Sequence, residues 1–143
     1  MAKSAIWRAE KPKQEVEVMA FKNVLIVDDS KLSRTVLSTL VDTHLPDSDT
    51  IIADSGESAL EKVQAAGNSI DLAFIDYIMP GMRGLELAAK LQVDTPDAIY
   101  ILCTANIQDS VAEKAKNQGL LLFPKPVTEK KFKNLIDKLK VTS

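Results

Sequence analysis

The stretch NVLIVDDSKLSR, residues 23–34, joins a run of apolar residues directly to two adjacent aspartates, Asp28 and Asp29. The run is too short for a helix and shows little alternation of polar and apolar residues, which is typical of a strand buried on both faces of a parallel sheet. Two carboxylates so close together repel each other, so each needs water or a cation nearby. Either Asp29 or Ser30 caps the helix that follows, or the aspartate pair binds a positively charged group.

Further apolar runs of similar length predict four more strands: TIIA (50–53), DLAFI (71–75), AIYILC (98–103) and LLLF (120–123). Helical patterns lie between these runs, and the connections are short. This alternation predicts an α/β fold, a doubly wound (βα)5 sheet with right-handed crossovers. Residues 1–21 are polar and stand outside the pattern, so we expect an N-terminal extension followed by one domain over residues 22–143.

The candidate helices differ in the amount of apolar surface that they offer. In the first and third helices we expect the following residues to be buried: Leu32, Val36, Leu37, Leu40 and Val41, then Leu85, Ala88, Ala89 and Leu91. The fourth candidate helix, residues 109–119, has an apolar stripe of only Val111, Ala112 and Ala115. Such a helix packs lightly, and lightly packed elements can shift at low free-energy cost.

Composition and charge argue against several classes of protein. The net charge is −2 and the basic residues form no long run, so we expect no direct binding to nucleic acid. No apolar run approaches the roughly 20 residues that a membrane-spanning helix needs, and the N-terminus lacks the apolar core of a secretory signal. The single cysteine, Cys103, lies in an apolar run and reads as a buried thiol in a reducing compartment. We therefore expect a cytoplasmic protein that does not insert into membranes.

Ligands of open α/β sheets bind beyond the carboxyl ends of the strands, and this sequence places reactive side chains there. Asp28 and Asp29 end the first strand, and Asp76 ends the third. Thr104 ends the fourth strand, and Lys125 ends the fifth. Three carboxylates, a hydroxyl and an ammonium group should therefore meet at one edge of the sheet.

These residue types fit phosphoryl transfer supported by a metal ion. Carboxylates are preferred ligands of Mg²⁺, and we expect Asp28, Asp29 and Asp76 to bind it. Asp76 can also attack phosphorus and form an aspartyl phosphate. Lys125 would pair with the phosphoryl group, and Thr104 could donate a hydrogen bond to it.

Two other classes of protein share parts of this pattern. A flavodoxin-like cofactor binder would have a phosphate loop rich in Ser, Thr and Gly after the first strand. A phosphohydrolase with an aspartate nucleophile would have two aspartates separated by one residue at that place. Here the two aspartates are adjacent and no such loop follows them, so both alternatives fit less well.

The order and spacing of four motifs resemble the response-regulator receiver domain of bacterial two-component signalling, over residues 22–140. The motifs are VLIVDDS, DYIMPGMRG, the Thr-Ala pair at 104–105 and the Lys-Pro pair at 125–126. The resemblance implies a flavodoxin-like parallel sheet with strand order 2-1-3-4-5, and phosphorylation of Asp76 by a sensor histidine kinase or phosphotransfer protein. It also implies a Mg²⁺ site completed by the backbone carbonyl of Ile78, and a cis Lys125–Pro126 bond.

The sequence departs from that family at two positions. Receivers commonly carry an aromatic residue three positions before the lysine, where this chain has Leu122, with Phe123 one step further. A shift of one residue turns a strand side chain to the other face, so we expect the signal to run mainly through the fourth helix. Two residues after Asp76 stands Ile78, whose side chain cannot orient a water molecule. We hypothesise that the aspartyl phosphate hydrolyses more slowly than in receivers with an amide or acid there.

We therefore expect a stand-alone response regulator, of chemotaxis type or another signalling type, whose phosphorylation switches the binding of a downstream protein. The resemblance places the docking surface on the fourth helix, fifth strand and fifth helix, roughly residues 109–139. Such a protein accelerates only its own phosphorylation and dephosphorylation and is not an enzyme for other substrates. A phosphate sink or phosphorelay intermediate fits equally well, and a non-phosphorylated pseudo-receiver scaffold is a further alternative.

Overall fold

The computed structural model describes residues 21–106 and 108–142. Within these residues five strands form one parallel sheet: β1 (Asn23–Val27), β2 (Asp49–Ala53), β3 (Leu72–Asp76), β4 (Ile99–Thr104) and β5 (Leu121–Pro124). Their spatial order is β2-β1-β3-β4-β5. The predicted fold class and strand order are confirmed, and each strand begins and ends within one residue of the apolar run that predicted it.

The same described residues form five helices, one after each strand: α1 (Lys31–His44), α2 (Gly56–Ala65), α3 (Gly84–Asp94), α4 (Asp109–Asn117) and α5 (Glu129–Thr142). Val24 and Ile26 of β1 point toward α1 and α5, whereas Leu25 and Val27 point toward the other three helices. All four side chains are fully buried, which explains why the strand is apolar without alternation. None of the described helices is both long and apolar enough to span a bilayer.

The buried side of α3 differs from the predicted one. Leu87, Ala88 and Leu91 are buried, whereas Ala89 is exposed. Because each helical residue advances by about 100°, Ala89 falls beyond the buried stripe and Leu87 falls inside it.

The first turn of α1 also differs from the prediction. Leu37, Leu40 and Val41 are buried as expected, but the side chain of Leu32 is 74% exposed. Leu32 stands in the first turn of the helix and lines a cleft with Asp28, Lys125 and Pro126. It therefore borders the carboxyl edge of the sheet and adds little to the core.

The glycine at position 84 lets α3 begin directly against the end of β3. A Cβ atom there would overlap the carbonyl oxygen of Asp76 and lie 3.1 Å from Leu102 Cδ1. The Gly84 N–H also donates a hydrogen bond to the Tyr77 carbonyl at 3.0 Å. The loop between β3 and α3 is thus folded back onto the strand that carries Asp76.

The predicted N-terminal extension lies almost entirely outside the described residues, so its boundary with the domain stays a prediction. Phe21, the first described residue, is buried in the apolar cluster beneath α1 and α5. Its contacts show that the described chain joins the core from its first residue onward.

Candidate functional site

The carboxyl edge of the sheet brings the predicted site residues together. Asp28 directly follows β1, Asp76 ends β3, and Thr104 ends β4. The carboxylates of Asp28, Asp29 and Asp76 each have an oxygen within 4.8 Å of the other two. Across residues 21–106 and 108–142, no other group of three or more acidic, histidine or cysteine side chains is arranged to hold a metal ion. The acidic cluster is therefore the candidate metal centre.

Lys125 extends from the end of β5 to the acidic cluster. Its Nζ lies 2.8 Å from Asp76 Oδ1 and 3.1 Å from Asp28 Oδ2. Its backbone N–H donates to the Thr104 carbonyl at 2.8 Å, and its peptide bond to Pro126 is cis, as the resemblance implied. Both the backbone and the side chain of Lys125 are thus held by neighbouring site residues.

The two adjacent aspartates have different environments. Asp28 is only 1% exposed, and its Oδ1 accepts a hydrogen bond from the Ser30 N–H at 2.9 Å. Asp29 is exposed. Ser30 caps α1, because its hydroxyl accepts the Ser33 N–H at 3.3 Å. Capping therefore accounts for neither carboxylate, and Asp29 is free to meet a ligand from solvent.

Burial and neighbouring charge both act on the central pair of the site. Burial raises the pKa of the Asp76 carboxyl, the hydrogen bond from Lys125 opposes this, and the charges of Asp28 and Asp29 raise it further. Burial alone would lower the pKa of Lys125, but its hydrogen bonds to Asp76 and Asp28, and their charges, raise it above the ordinary value. A divalent cation would favour the ionised form of each carboxylate. Three carboxylates against one ammonium group therefore form a donor set that fits Mg²⁺.

Thr104 connects the site to the fourth helix. Its side chain is buried, and its Oγ1 accepts the N–H of Asn106 at 2.9 Å. Asn106 Oδ1 in turn accepts the N–H of Gln108, the N-cap residue of α4, at 3.1 Å. Hydrogen bonds made by Asn106 thus link Thr104 to the start of α4.

Ile78 lies on the rim of the site, two residues after Asp76, and is 54% exposed. Its apolar side chain offers no group that could orient water near Asp76. The role of its backbone carbonyl as a metal ligand stays a prediction.

The side chains of β5 point as its sequence predicted. Leu122 is half-buried and packs on the cluster beneath α2, α3 and α4, whereas Phe123 is buried in the cluster beneath α1 and α5. Neighbouring strand residues face opposite sides of a sheet, so Phe123 cannot replace an aromatic residue at position 122.

Arg34 also contacts the site, although no motif in the sequence pointed to it. Its Nη1 donates to the Asp28 carbonyl at 2.9 Å, at the peptide bond that joins the two aspartates. The available signal was a basic residue one turn after Ser30, on a helix that begins beside an acidic pair. The backbone N–H of Arg34 donates to the Ser30 carbonyl at 3.0 Å, as that spacing requires.

Comparisons with known proteins agree with this geometry. The sequence matches the response regulator receiver domain family over residues 24–137. The chemotaxis protein CheY of Listeria monocytogenes is 33% identical over 97 residues, which cover 67% of this chain and 78% of that protein. The hybrid signal transduction histidine kinase L of Dictyostelium discoideum is 31% identical over 137 residues. That alignment covers 91% of this chain, and the chain spans only 8% of the kinase.

Solved structures show the same fold. The CheX–CheY–BeF3–Mg²⁺ complex from Borrelia burgdorferi has a TM-score of 0.73 at 25% identity, over 85% of this chain and 90% of that one. The chemotaxis protein CheY4 of Vibrio cholerae has a TM-score of 0.73 at 23% identity, over 83% of this chain and 98% of that one. Apart from Asn23, the family match covers all five strands together with Asp28, Asp76 and Lys125. This chain therefore belongs to the family of response regulator receiver domains.

Proposed function

We propose that this receiver domain accepts a phosphoryl group on Asp76 in a Mg²⁺-dependent reaction and then binds a downstream protein. The phosphoryl donor is a histidine kinase or a phosphotransfer protein. The observation that carries the proposal is the position of Lys125 Nζ, 2.8 Å from Asp76 and 3.1 Å from Asp28. A positive charge fixed between two buried carboxylates can stabilise the charge of a phosphoryl group on Asp76.

In the proposed step an Asp76 carboxylate oxygen forms a bond to phosphorus, and the bond from phosphorus to the donor imidazole nitrogen breaks. The departing nitrogen keeps the electron pair and is protonated. Mg²⁺ bound by Asp28, Asp29, Asp76 and the Ile78 carbonyl would offset the negative charge on the phosphoryl oxygens. Lys125 exchanges its contact with Asp76 for a phosphoryl oxygen, and Thr104 donates a hydrogen bond to the same group.

The proposed docking surface is formed by α4, β5 and α5, roughly residues 109–139. The bonds from Thr104 through Asn106 to Gln108 support this assignment, because they lead from the site to the start of α4. Phosphorylation needs to change the relative free energy of two states by only a few kcal/mol to act as a switch.

A second candidate function is that of a phosphate sink or phosphorelay intermediate, which passes the phosphoryl group on and needs no conformational output. The observation that favours it is Leu122, which occupies the position where receivers commonly carry a mobile aromatic residue. In either role the chain would turn over only its own phosphoryl group and would not be an enzyme for other substrates. A cytoplasmic location belongs to the same proposal and is supported by the single free cysteine, Cys103.

The proposal is tested by incubating the full chain with acetyl phosphate and reading its intact mass with Mg²⁺ or with a chelator. Wild type should gain one phosphoryl group only with Mg²⁺, and Asp76→Asn should gain none. Asp54→Asn is the matched control, since Asp54 is an exposed aspartate directly after β2. An adduct that persists in Asp76→Asn contradicts the proposal. With neither adduct nor Mg²⁺ binding, a pseudo-receiver scaffold becomes the better account.

A further inference from the structure

We propose that Arg34 is a positioning residue for the metal centre. It holds the peptide bond between Asp28 and Asp29 and thereby sets where the Asp29 carboxylate stands. The contact that assigns this role is the 2.9 Å hydrogen bond from Arg34 Nη1 to the Asp28 carbonyl oxygen. The inference rests on the proposed Mg²⁺-dependent function and assigns to that site a residue outside the ligand set.

Every polar group of Asp28 already has a partner. Its N–H donates to the Ala53 carbonyl at 3.2 Å, and its Oδ1 accepts the Ser30 N–H at 2.9 Å. Its Oδ2 accepts from Lys125 Nζ at 3.1 Å, and its carbonyl oxygen accepts from Arg34. Among these four bonds, only the one from Arg34 acts on the peptide plane between the two aspartates.

Asp29, on the other side of the peptide bond that Arg34 contacts, differs from Asp28 in its exposure to solvent. It is exposed, whereas Asp28 and Asp76 are buried. The bond from Arg34 fixes the peptide plane before Asp29 and so restricts the backbone conformation from which the Asp29 side chain extends. Without the bond from Arg34, the carboxylate of Asp29 would sample a wider set of positions, and a metal ion would have to order it on binding.

The guanidinium group of Arg34 forms no salt bridge within the described part of the chain. Arg34 is half-buried. Its positive charge beside the acidic cluster repels a divalent cation. Charge alone therefore predicts that removing Arg34 strengthens Mg²⁺ binding, whereas positioning predicts that it weakens binding. The sign of the change separates the two roles.

The experiment is calorimetric titration of the full chain with Mg²⁺ and separately with Ca²⁺, at constant ionic strength. We expect Arg34→Met to weaken Mg²⁺ binding about tenfold, as the loss of groups that orient metal ligands commonly does. The loss should be smaller for Ca²⁺, because Ca²⁺ accepts irregular coordination and Mg²⁺ requires octahedral geometry.

Lys62→Met is the matched control. Lys62 Nζ donates to the Ile52 carbonyl of β2 at 2.6 Å, so the variant removes the same charge and the same kind of bond outside the cluster. It should bind Mg²⁺ as wild type does. The Tm of each variant without metal reports whether it folds. If Arg34→Met does not fold, Arg34→Gln carries the same prediction, because its shorter neutral side chain does not reach the Asp28 carbonyl.

Each outcome decides between the accounts. Unchanged or tighter Mg²⁺ binding in the Arg34 variants, or an equal loss for both ions, overturns the assignment of Arg34 while the proposed function stands. A wild-type chain that binds no Mg²⁺ overturns the metal chemistry of the proposed function and the role of Arg34 together. Weaker Mg²⁺ binding with the smaller Ca²⁺ effect supports both.

Discussion

Asp76 is subject to two opposing demands. As the proposed nucleophile it must be ionised, yet burial and the charges of Asp28 and Asp29 raise its pKa against the opposing effect of Lys125. The Asp76 carboxyl group therefore binds its proton more tightly in the folded protein than in the unfolded chain. The contribution of Asp76 to the free energy of unfolding falls as the pH rises from its ordinary pKa of 3.8 toward the raised one. At neutral pH the ionised carboxylate of Asp76 therefore lowers the free energy of unfolding.

The variant Asp76→Asn should consequently have a higher Tm than wild type at pH 7 without metal, by a few degrees. The amide removes the buried charge and can still accept a hydrogen bond from Lys125. The gain should shrink as the pH falls from the raised pKa toward 3.8, below which wild-type Asp76 is protonated in both states. It should also shrink when Mg²⁺ stabilises wild type. Thermal unfolding followed by circular dichroism checks this, with Asp54→Asn as control; a lower Tm for Asp76→Asn at pH 7 contradicts it.

Ile78 leads to a prediction about the lifetime of the aspartyl phosphate. Its exposed apolar side chain has no polar atom that could orient an attacking water. Replacing it by asparagine should therefore speed hydrolysis severalfold or more, because an oriented water reacts faster. The rate is read from the decay of the phosphorylated mass after the donor is removed. Ile78→Leu controls for the change of shape, and an unchanged rate in Ile78→Asn would end this hypothesis.

At the scale of single residues, sequence reasoning could locate the side chains at strand ends, because sheet topology alone decides where strand ends lie. It could not locate contacts that depend on helix orientation. Arg34 is one case. Another is His44, whose Nε2 lies 3.3 Å from Glu129 Oε2 and whose ring lies 5.7 Å from that of Phe132. Those contacts depend on how α1 and α5 pack together, and no local pattern fixes this.

Among the elements, α4 is held differently at its two ends. Only Val111 and Ala115 are buried, and Gln108 makes no side-chain cap at the N-terminus. At the other end, Gln118 Nε2 donates to the Leu85 carbonyl at 3.1 Å, and Gln92 Nε2 donates to the Gln118 carbonyl at 2.8 Å. The C-terminal end is thus tied to α3, while the N-terminal end is coupled to Thr104.

This asymmetry predicts how α4 responds to a phosphoryl mimic. With beryllofluoride and Mg²⁺, amide chemical shifts should change most at residues 108–112 and little at 116–118. In Gln118→Ala the changes should extend to the C-terminal end, because one of its two ties to α3 is lost. Gln64→Ala, an exposed glutamine of α2, is the control. Indistinguishable α4 spectra with and without the mimic would show that the signal does not pass through this helix.

For the whole molecule, the sequence was sufficient to predict the sheet. It was insufficient to predict which helix residues are buried and which hydrogen bonds orient the site. Five apolar runs without alternation require helices on both faces, which leaves few topologies open. The predicted stripe of α3 wrongly included Ala89 and left out Leu87, because residues 84–91 offer two overlapping sets of apolar residues at helical spacing. The site could be predicted from strand ends, whereas the hydrogen bonds that orient it could not, because they arise only when the helices have packed.

The position of the proposed phosphoryl group on Asp76 can be determined chemically. The chain is incubated with acetyl phosphate and Mg²⁺ and then reduced with borohydride, which converts an aspartyl phosphate to homoserine. Tandem mass spectrometry of the digested protein then identifies the modified residue. We expect homoserine at position 76 when Mg²⁺ is present and none when a chelator replaces it. Homoserine at position 28 or 29, or at position 76 independently of the metal, would contradict the proposal.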